Sequence, residues 1–215
     1  SGYAVAEALS PEGPFTLVNS DPQMSYRAGG DFALLESGGR AWIAYNSFES
    51  NHAVAVQPLN YAFTDVAPGS IAALVSEDDQ ESVAFFEEGG LYYLAHGDLC
   101  CFCTEGSNLR LSVAHHPMGP FRLIADINPR DAAHVPAQSN AVFRARLRDG
   151  SSRLVWTADL WQSARSGRKG GDLQVRLAPT AHVSSLATLL RTVHNFECEL
   201  CDASLHGMYR TTCEP

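Results

Sequence analysis

The sequence has no long hydrophobic run and little positive charge. No stretch of roughly eighteen consecutive residues is apolar, so we expect no transmembrane helix and no membrane partner. The 15 Lys and Arg residues are outnumbered by 24 Asp and Glu residues, which gives a formal net charge of −9. Because proteins recognise nucleic acid phosphates through Lys and Arg, we expect no nucleic acid partner. A neutral or basic ligand fits this charge better.

The first residues also lack the features of a secretory leader. Ser1-Gly-Tyr-Ala-Val-Ala contains no basic region followed by an apolar stretch. Either the protein is intracellular or a leader has been removed. Ser1 is an unusual first residue, so we expect that residues upstream of it are missing.

Cysteine is scarce and clustered. The six residues are Cys100, Cys101, Cys103, Cys198, Cys201 and Cys213. Their even number indicates disulfides in an oxidising compartment, which favours an extracellular, secreted protein. Cys100 and Cys103 could instead join Cys198 and Cys201 in a structural zinc site, although the two pairs lie much farther apart than in a compact zinc ribbon. Free thiols are a third alternative, and we expect neither a metal nor another cofactor.

Helical periodicity is rare in this sequence. Only Ser184 to Val193 could form a helix. Most of the chain consists of short segments rich in β-branched and aromatic residues, separated by Gly, Pro, Asn or Asp, which predicts an all-β fold. The predicted strands are Phe32 to Leu35, Ala41 to Tyr45, Ala53 to Gln57, Val83 to Phe86, Leu91 to Ala95, Leu109 to Ala114, Ala141 to Arg146, Leu154 to Thr157 and Leu173 to Leu177.

One sequence pattern occurs three times, as a strand, a Gly-centred hairpin turn and a second strand. The copies open at Asp31, Glu81 and Gln138, about 50 to 57 residues apart, which is the period of a β-propeller blade. Residues 1–180 are therefore predicted to form blades that open near residues 31, 81 and 138, after a partial blade at 1–18. An irregular Cys-containing tail at 181–215 would follow.

A second repeated pattern contains Gly-Pro-Phe, at Glu12-Gly-Pro-Phe and again at Met118-Gly-Pro-Phe. We expect it at the outer strand of a blade and its exit. About three full blades and a partial one do not close a propeller, because every blade needs a neighbour on both faces. Residues missing from this sequence, the tail at 181–215 or a second copy in a homo-oligomer could cover the open faces of the terminal blades.

The three residues that open the repeats are candidates for a catalytic site. The first strands of propeller blades run beside the central axis, so equivalent residues converge at one end of the channel. Two carboxylates and an amide suffice to protonate a leaving group and to orient a water molecule. Asp31 would raise the pKa of Glu81 by like-charge repulsion. Each carboxylate could instead be an ordinary turn residue, and the third copy could align at Ser139 rather than at Gln138.

These patterns resemble glycoside hydrolase family 43, and most closely its exo-acting galactan 1,3-β-galactosidases. The similarity covers roughly residues 3–180. The matching segments are Asp31-Phe with Gly-Gly-Arg-Ala-Trp-Ile-Ala-Tyr, Glu81 with Val-Ala-Phe-Phe and Leu-Tyr-Tyr-Leu, Met118-Gly-Pro-Phe, Gln138-Ser and Ala158-Asp-Leu-Trp. The resemblance implies a five-bladed propeller and an inverting hydrolysis. Glu81 would be the general acid, Asp31 its modulator, and Gln138 would lie near the attacking water.

The sequence departs from that family at two places. Val83 stands where the family usually has Pro, and Cys100-Cys101-Phe102-Cys103 stands where the galactosidase branch has Thr-Gly-Trp. Phe102 could therefore replace a Trp that stacks on sugar, or it could fill space between blades. Further candidate sugar contacts lie after second strands, where they could instead pack between blades or cap a turn: Asp159, Trp161, Tyr45 and Asn46.

The sequence thus predicts a glycoside hydrolase that removes a terminal sugar from a galactan-type polysaccharide. Another family 43 activity is an alternative, such as an arabinofuranosidase or a β-xylosidase, and it would require a general-base Asp upstream. The second alternative is a lectin-like propeller that binds sugar without turnover.

Overall fold

The computed structural model describes residues 2–100, 103–132, 134–161 and 171–178. Within these ranges thirteen strands form four antiparallel sheets, and a single 3-10 helix, Phe48–Ser50, follows the fourth strand. None of the helical structure there is long or apolar enough to cross a membrane. The prediction of an all-β fold is confirmed.

Each sheet is a meander in chain order, which is the arrangement of a propeller blade. Sheet 1 contains β1 (Val5–Glu7) and β2 (Thr16–Asn19). Sheet 2 contains β3 (Gly29–Ser37), β4 (Arg40–Ser47), β5 (Val54–Pro58) and β6 (Ala73–Leu74). Sheet 3 contains β7 (Gln80–Glu88), β8 (Leu91–Asp98), β9 (Arg110–Ala114) and β10 (Arg122–Asp126). Sheet 4 contains β11 (Gln138–Arg146), β12 (Ser152–Trp161) and β13 (Gly171–Ala178).

Glycine pairs form the tight turns between the first two strands of sheets 2 and 3. Gly38 and Gly39 have φ values of 60° and 75°, and Gly89 and Gly90 have φ values of 60° and 76°. Two consecutive residues with positive φ are what a two-residue hairpin turn requires, and glycine adopts them without a steric penalty. The repeated Gly-Gly pairs therefore set the register of both hairpins.

The hydrophobic core lies between the sheets. Leu35, Trp42 and Val54 of sheet 2 pack against Val83 and Phe85 of sheet 3 in one buried cluster. Ala84, on the opposite face of β7, belongs to a second cluster that also contacts sheet 4. Alternate residues of a strand point to opposite faces, so β7 is covered on both sides. Sheet 3 is consequently the central layer of the described structure.

The position of the Gly-Pro-Phe pattern corrects one expectation. Gly119-Pro120 lies between β9 and β10, the last two strands of sheet 3, rather than at the exit of a blade. Gly13-Pro14 lies between β1 and β2 in the same way, and both peptide bonds are cis. The connection within sheet 1 therefore resembles the one between the last two strands of sheet 3.

Every predicted strand overlaps an observed one, and β11 begins at Gln138 as the repeat indicates. Four short strands were not among the predicted ones: β1, β2, β6 and β10, which have two to five residues. The predicted helix at Ser184 to Val193 and the predicted tail at 181–215 lie outside the described residues.

Candidate active site

The first strands of sheets 2, 3 and 4 share a register shift near their beginnings. The shift lies between Gly29 and Phe32 in β3, between Glu81 and Ala84 in β7, and between Ser139 and Ala141 in β11. In each case the first strand has one residue more than its partner, as in a β-bulge. Bulges change the direction in which side chains point and are frequent beside active sites. All three predicted catalytic residues lie at these shifts.

The register corrects the expectation that the three residues are equivalent. After the shift, regular pairing resumes at Phe32 in β3, at Ala84 in β7 and at Ala141 in β11. Glu81 and Gln138 each lie three residues before that point, whereas Asp31 lies directly before it. The apolar pattern of the repeat does not show this difference, but the spacing to the hairpin glycines does, because Gly38 follows Asp31 by seven residues and Gly89 follows Glu81 by eight. Glu81 and Gln138 are therefore the matched pair, and Asp31 approaches from a different position.

The carboxylate of Glu81 is buried and held by two N–H donors. Its side chain is 4% exposed. Gln138 Nε2 donates to Glu81 Oε1 at 2.7 Å, and the backbone N–H of Cys100 donates to the same oxygen at 2.7 Å. Two N–H donors on one carboxylate oxygen restrain the orientation of the whole carboxyl group. The structure thus brings Glu81 and Gln138 together.

Asp31 contacts the backbone beside Glu81. Its Oδ2 accepts a hydrogen bond of 2.9 Å from the backbone N–H of Ser82, and the residue is exposed. Ser82 has a φ of 62°, a conformation that is strained for residues other than Gly. Such backbone strain is concentrated at functional sites. Asp31 therefore holds the peptide that follows Glu81.

Buried polar side chains support the residue on the other side of Glu81. Asn46 Nδ2 donates to the carbonyl oxygen of Gln80 at 2.9 Å, which ties β4 to β7. His96 Nδ1 lies 2.8 Å from Gln80 Oε1. Burial, assisted by the positive charge of Arg110, lowers the pKa of His96 to about 4. His96 is therefore neutral at neutral pH and donates from Nδ1 to the amide oxygen of Gln80.

Tyr45, a predicted sugar contact, belongs to the core. Its ring is fully buried, and its hydroxyl donates to Gln57 Oε1 at 3.3 Å and accepts from the backbone N–H of Tyr26 at 3.3 Å. Burial raises the pKa of Tyr45 to about 12. Because β4 is covered on the face that bears this side chain, Tyr45 does not reach the surface where a sugar would bind. This prediction was wrong.

The other predicted sugar contacts have different surroundings. Asn46 is 3% exposed and forms the link to Gln80. Asp159 is half-buried and is paired with Gln138 across β11 and β12. Trp161 ends β12 in register with Gly171, so it lies in a strand and not in the loop expected from the sequence. Phe102 lies outside the described residues.

Cys100 and Cys103 form a disulfide. Sulfur atoms joined in a disulfide are not thiolate ligands, so this pair does not offer half of a zinc site in the state described. Cys198 and Cys201 lie outside the described residues. Within the described part of the chain, no group of three or more His, Cys, Asp or Glu side chains is arranged to hold a metal ion.

Two surface depressions lie beside the connection from β5 to β6 and do not include Glu81. Their walls are formed by Arg40, Leu59, Asn60, Tyr61, Phe63, Ala67 and Pro68 in one, and by Gln23, Asn60, Asp65, Val66, Ala67, Pro68, Gly69 and Ser70 in the other. Neither contains a pair of carboxylates. The chemistry-bearing groups are instead at the strand beginnings around Glu81, and we take that region as the candidate site.

Two backbone groups of the site were not predicted from the sequence, the N–H of Cys100 and the N–H of Ser82. Backbone donors leave no signature of residue type. The Cys-x-x-Cys spacing directly after β8 was the available signal, because a short disulfide loop there fixes the main chain beside the start of β7. A disulfide was expected from the sequence but was not connected with the site.

Comparison with known proteins supports the fold. No protein-family model and no curated protein sequence matches the chain. An exo-β-1,3-galactanase from Clostridium thermocellum is similar in structure, with a TM-score of 0.67 at 16% identity, over 84% of this chain and 40% of that chain. An endo-1,4-β-xylanase from Bacteroides thetaiotaomicron has a TM-score of 0.62 at 18% identity, over 83% of this chain and 64% of that chain. The exo-β-1,3-galactanase of Phanerochaete chrysosporium with β-1,3-galactotriose has a TM-score of 0.63 at 17% identity, over 81% of this chain and 39% of that chain.

These similarities confirm the predicted resemblance at the level of the fold. The chain has the all-β architecture of the five-bladed propellers of glycoside hydrolase family 43. It spans about two fifths of the length of the Clostridium thermocellum enzyme. At identities this low the likeness concerns the fold, and the function has to be argued from the site.

Proposed function

We propose that this chain carries the catalytic acid of an inverting glycoside hydrolase that removes terminal galactose from a β-1,3-galactan. The observation that carries the proposal is the buried carboxylate of Glu81, whose Oε1 accepts hydrogen bonds from Gln138 and from the backbone of Cys100. A general acid must be fixed in position relative to the bond that it protonates. The two donors restrain rotation of the carboxyl group and so support its fixed position.

In the proposed reaction the Glu81 carboxylic acid transfers its proton to the glycosidic oxygen as the bond to the sugar breaks. A water molecule attacks the anomeric carbon from the opposite face of the ring, which inverts the configuration. The attacking water releases its proton to the solvent, and the Glu81 carboxylate takes up a proton from the solvent before the next turnover. Gln138 donates to Glu81 through its Nε2, and its amide oxygen would accept a hydrogen bond from that water. Asp31 stabilises the backbone at Ser82 and so maintains the direction of the Glu81 side chain.

The choice of a galactan is supported by the structural neighbours, several of which are exo-β-1,3-galactanases, one of them with bound β-1,3-galactotriose. A xylan-directed activity is the second candidate, because an endo-1,4-β-xylanase has a comparable similarity. Incubation with β-1,3-galactan, xylan and the matching aryl glycosides separates the two. Release of galactose alone supports the first, and release of xylose or xylo-oligosaccharides supports the second.

The central test is Glu81→Gln, which keeps the size of the side chain and removes its acidic proton. Loss of a general acid lowers turnover by about 10²- to 10⁴-fold. Glu87→Gln is the matched control, because Glu87 lies on the same strand and is exposed. We expect the control variant to keep the wild-type kcat and Glu81→Gln to keep galactan binding. The anomeric proton NMR spectrum of the wild-type reaction should show that the first product has the α configuration.

Wild-type turnover by Glu81→Gln would contradict the assignment of the acid. Binding of galactan without any turnover by the parent protein would instead favour the lectin-like alternative. We further propose an extracellular location, which the Cys100–Cys103 disulfide supports because disulfides persist in oxidising compartments. Association of copies into a homo-oligomer stays a prediction, which sedimentation analysis would test.

A further inference from the structure

The Cys100–Cys103 disulfide closes a short loop around a donor to Glu81. Cys100 lies just beyond the end of β8, and its N–H bonds to Glu81 Oε1 at 2.7 Å. On one side the preceding residue, Leu99, donates its N–H to the carbonyl oxygen of Asp79 at 2.7 Å. On the other side the N–H of Cys103 donates to the carbonyl oxygen of Cys100 at 3.3 Å. The donor is thus fixed between a strand end and a covalent loop.

A backbone N–H has no side chain that could steer it, so its direction depends on the main chain alone. The covalent bond between Cys100 and Cys103 removes conformations of this segment that would turn the N–H away from Glu81. Gln138 Nε2, which also donates to Oε1, belongs to a side chain and can follow small movements of the carboxylate. The Cys100 N–H is therefore the donor that depends most on the integrity of the loop.

We propose that the Cys100–Cys103 disulfide is a positioning element for Glu81 and that its reduction lowers the activity of the site. The catalytic part of this inference rests on the proposed function. Reduction by a dithiol transfers two electrons and two protons to the sulfur–sulfur bond, which gives the thiols of Cys100 and Cys103 and converts the reagent to its cyclic disulfide. The protein would then be active in oxidising surroundings and weakened in reducing ones.

The hydrogen bond itself can be tested without turnover. In isotope-labelled protein, the amide proton resonance of Cys100 should move as the Glu81 carboxyl group ionises, because the N–H points at the titrating oxygen. We expect this pH-dependent step in the oxidised protein and its absence in Glu81→Gln. In the reduced protein and in Cys103→Ser we expect a step of less than half the size. A step of unchanged size after reduction would overturn the inference.

The kinetic test compares the oxidised wild type, the reduced wild type and Cys103→Ser. We expect kcat to fall about tenfold on loss of the loop, as for a weakened hydrogen bond to a charged group, while KM changes little. An N–H donor stabilises the ionised carboxylate more than the neutral acid, so its loss also moves the alkaline limit of activity to higher pH. A purely structural role would lower activity equally at every pH.

The matched control is the double substitution Cys198→Ser with Cys201→Ser, which leaves the Cys100–Cys103 pair intact. It should respond to the dithiol as the wild type does, and far-ultraviolet circular dichroism should show that every variant is folded. An equal response of Cys103→Ser to the dithiol would assign the effect to other cysteines and overturn the inference. A titration step that reduction abolishes, in a protein without turnover, would support the positioning role and refute the proposed function instead.

Discussion

The beginnings of β3 and β7 have the same local irregularity, a register shift, but their carboxylates lie in different surroundings. Both strands have a register shift within their first residues, and each has an acidic side chain there. Glu81 on β7 is 4% exposed, whereas Asp31 on β3 is exposed to solvent. The local sequence and the backbone irregularity therefore do not decide the burial of the carboxylate.

The difference follows from what covers each strand. β7 packs against sheet 2 with Val83 and Phe85, and toward sheet 4 with Ala84 and Phe86. β3 is covered by sheet 3 on one face, but Phe32 and Leu34 are 51% and 58% exposed on the other. When a strand is packed between two neighbouring sheets, a polar residue at its beginning is shielded from solvent by both of them. The central position of sheet 3, rather than a special motif, gives Glu81 its buried environment.

The largest expected effect on the free energy of unfolding comes from the core between sheets 2 and 3. Leu94→Ala, at a fully buried position shared by sheets 2 and 3, should lower the free energy of unfolding by about 2–5 kcal/mol. Leu34→Ala on the exposed face of β3 should change it by less than about 0.5 kcal/mol. Urea denaturation of both variants measures the contrast. If both variants lose the same free energy of unfolding, the face of β3 that bears Leu34 is covered in solution.

A smaller effect concerns the pH dependence of sheet 3. His96 has its pKa lowered to about 4, so the unfolded chain binds a proton between pH 6.5 and 4 that the folded protein excludes. Stability from this source is complete above pH 6.5 and is lost as the pH falls toward 4, by about 3 kcal/mol in total. His96→Gln should remove this component from the pH profile of unfolding. His52→Gln, in the turn that precedes β5, is the control, and a profile that His96→Gln leaves unchanged would refute the assignment.

The smallest effect tests the strained residue beside Glu81. Relief of a left-handed conformation is worth about 1–2 kcal/mol, and the extra flexibility of unfolded glycine costs about 0.5–1 kcal/mol. Ser82→Gly should therefore stabilise the fold by about 0.5–1 kcal/mol, because Ser82 has a φ of 62° and its buried hydroxyl has no hydrogen-bond partner among the described residues.

The control at the same position is Ser82→Ala, which removes the hydroxyl and keeps the strained backbone. It should lack the stabilisation of the glycine variant in thermal unfolding. If both variants are equally stable, the backbone at Ser82 stores no strain, and the hydroxyl accounts for the change.

The sequence was sufficient to predict the repeated hairpins and the pair formed by Glu81 and Gln138. Alternating apolar residues and Gly-Gly turns specify these strands locally, and the repeat spacing relates one blade to the next. The apolar pattern was insufficient for Asp31, because a bulge adds a residue without disturbing that pattern. Tyr45 was misassigned because a Tyr near the end of a strand can belong to the core or to a site, and only the packing of β4 decides between them.

The hairpin turns at Gly38-Gly39 and Gly89-Gly90 lie at the opposite ends of their first strands from the catalytic candidates. The nine residues of β7 place about 25 Å between the two ends. A side chain introduced at any of the four glycines would meet open space. Replacement of one of them by Asn or Asp, which tolerate this backbone, should therefore preserve the turn, and the new side chain would face solvent far from the candidate site.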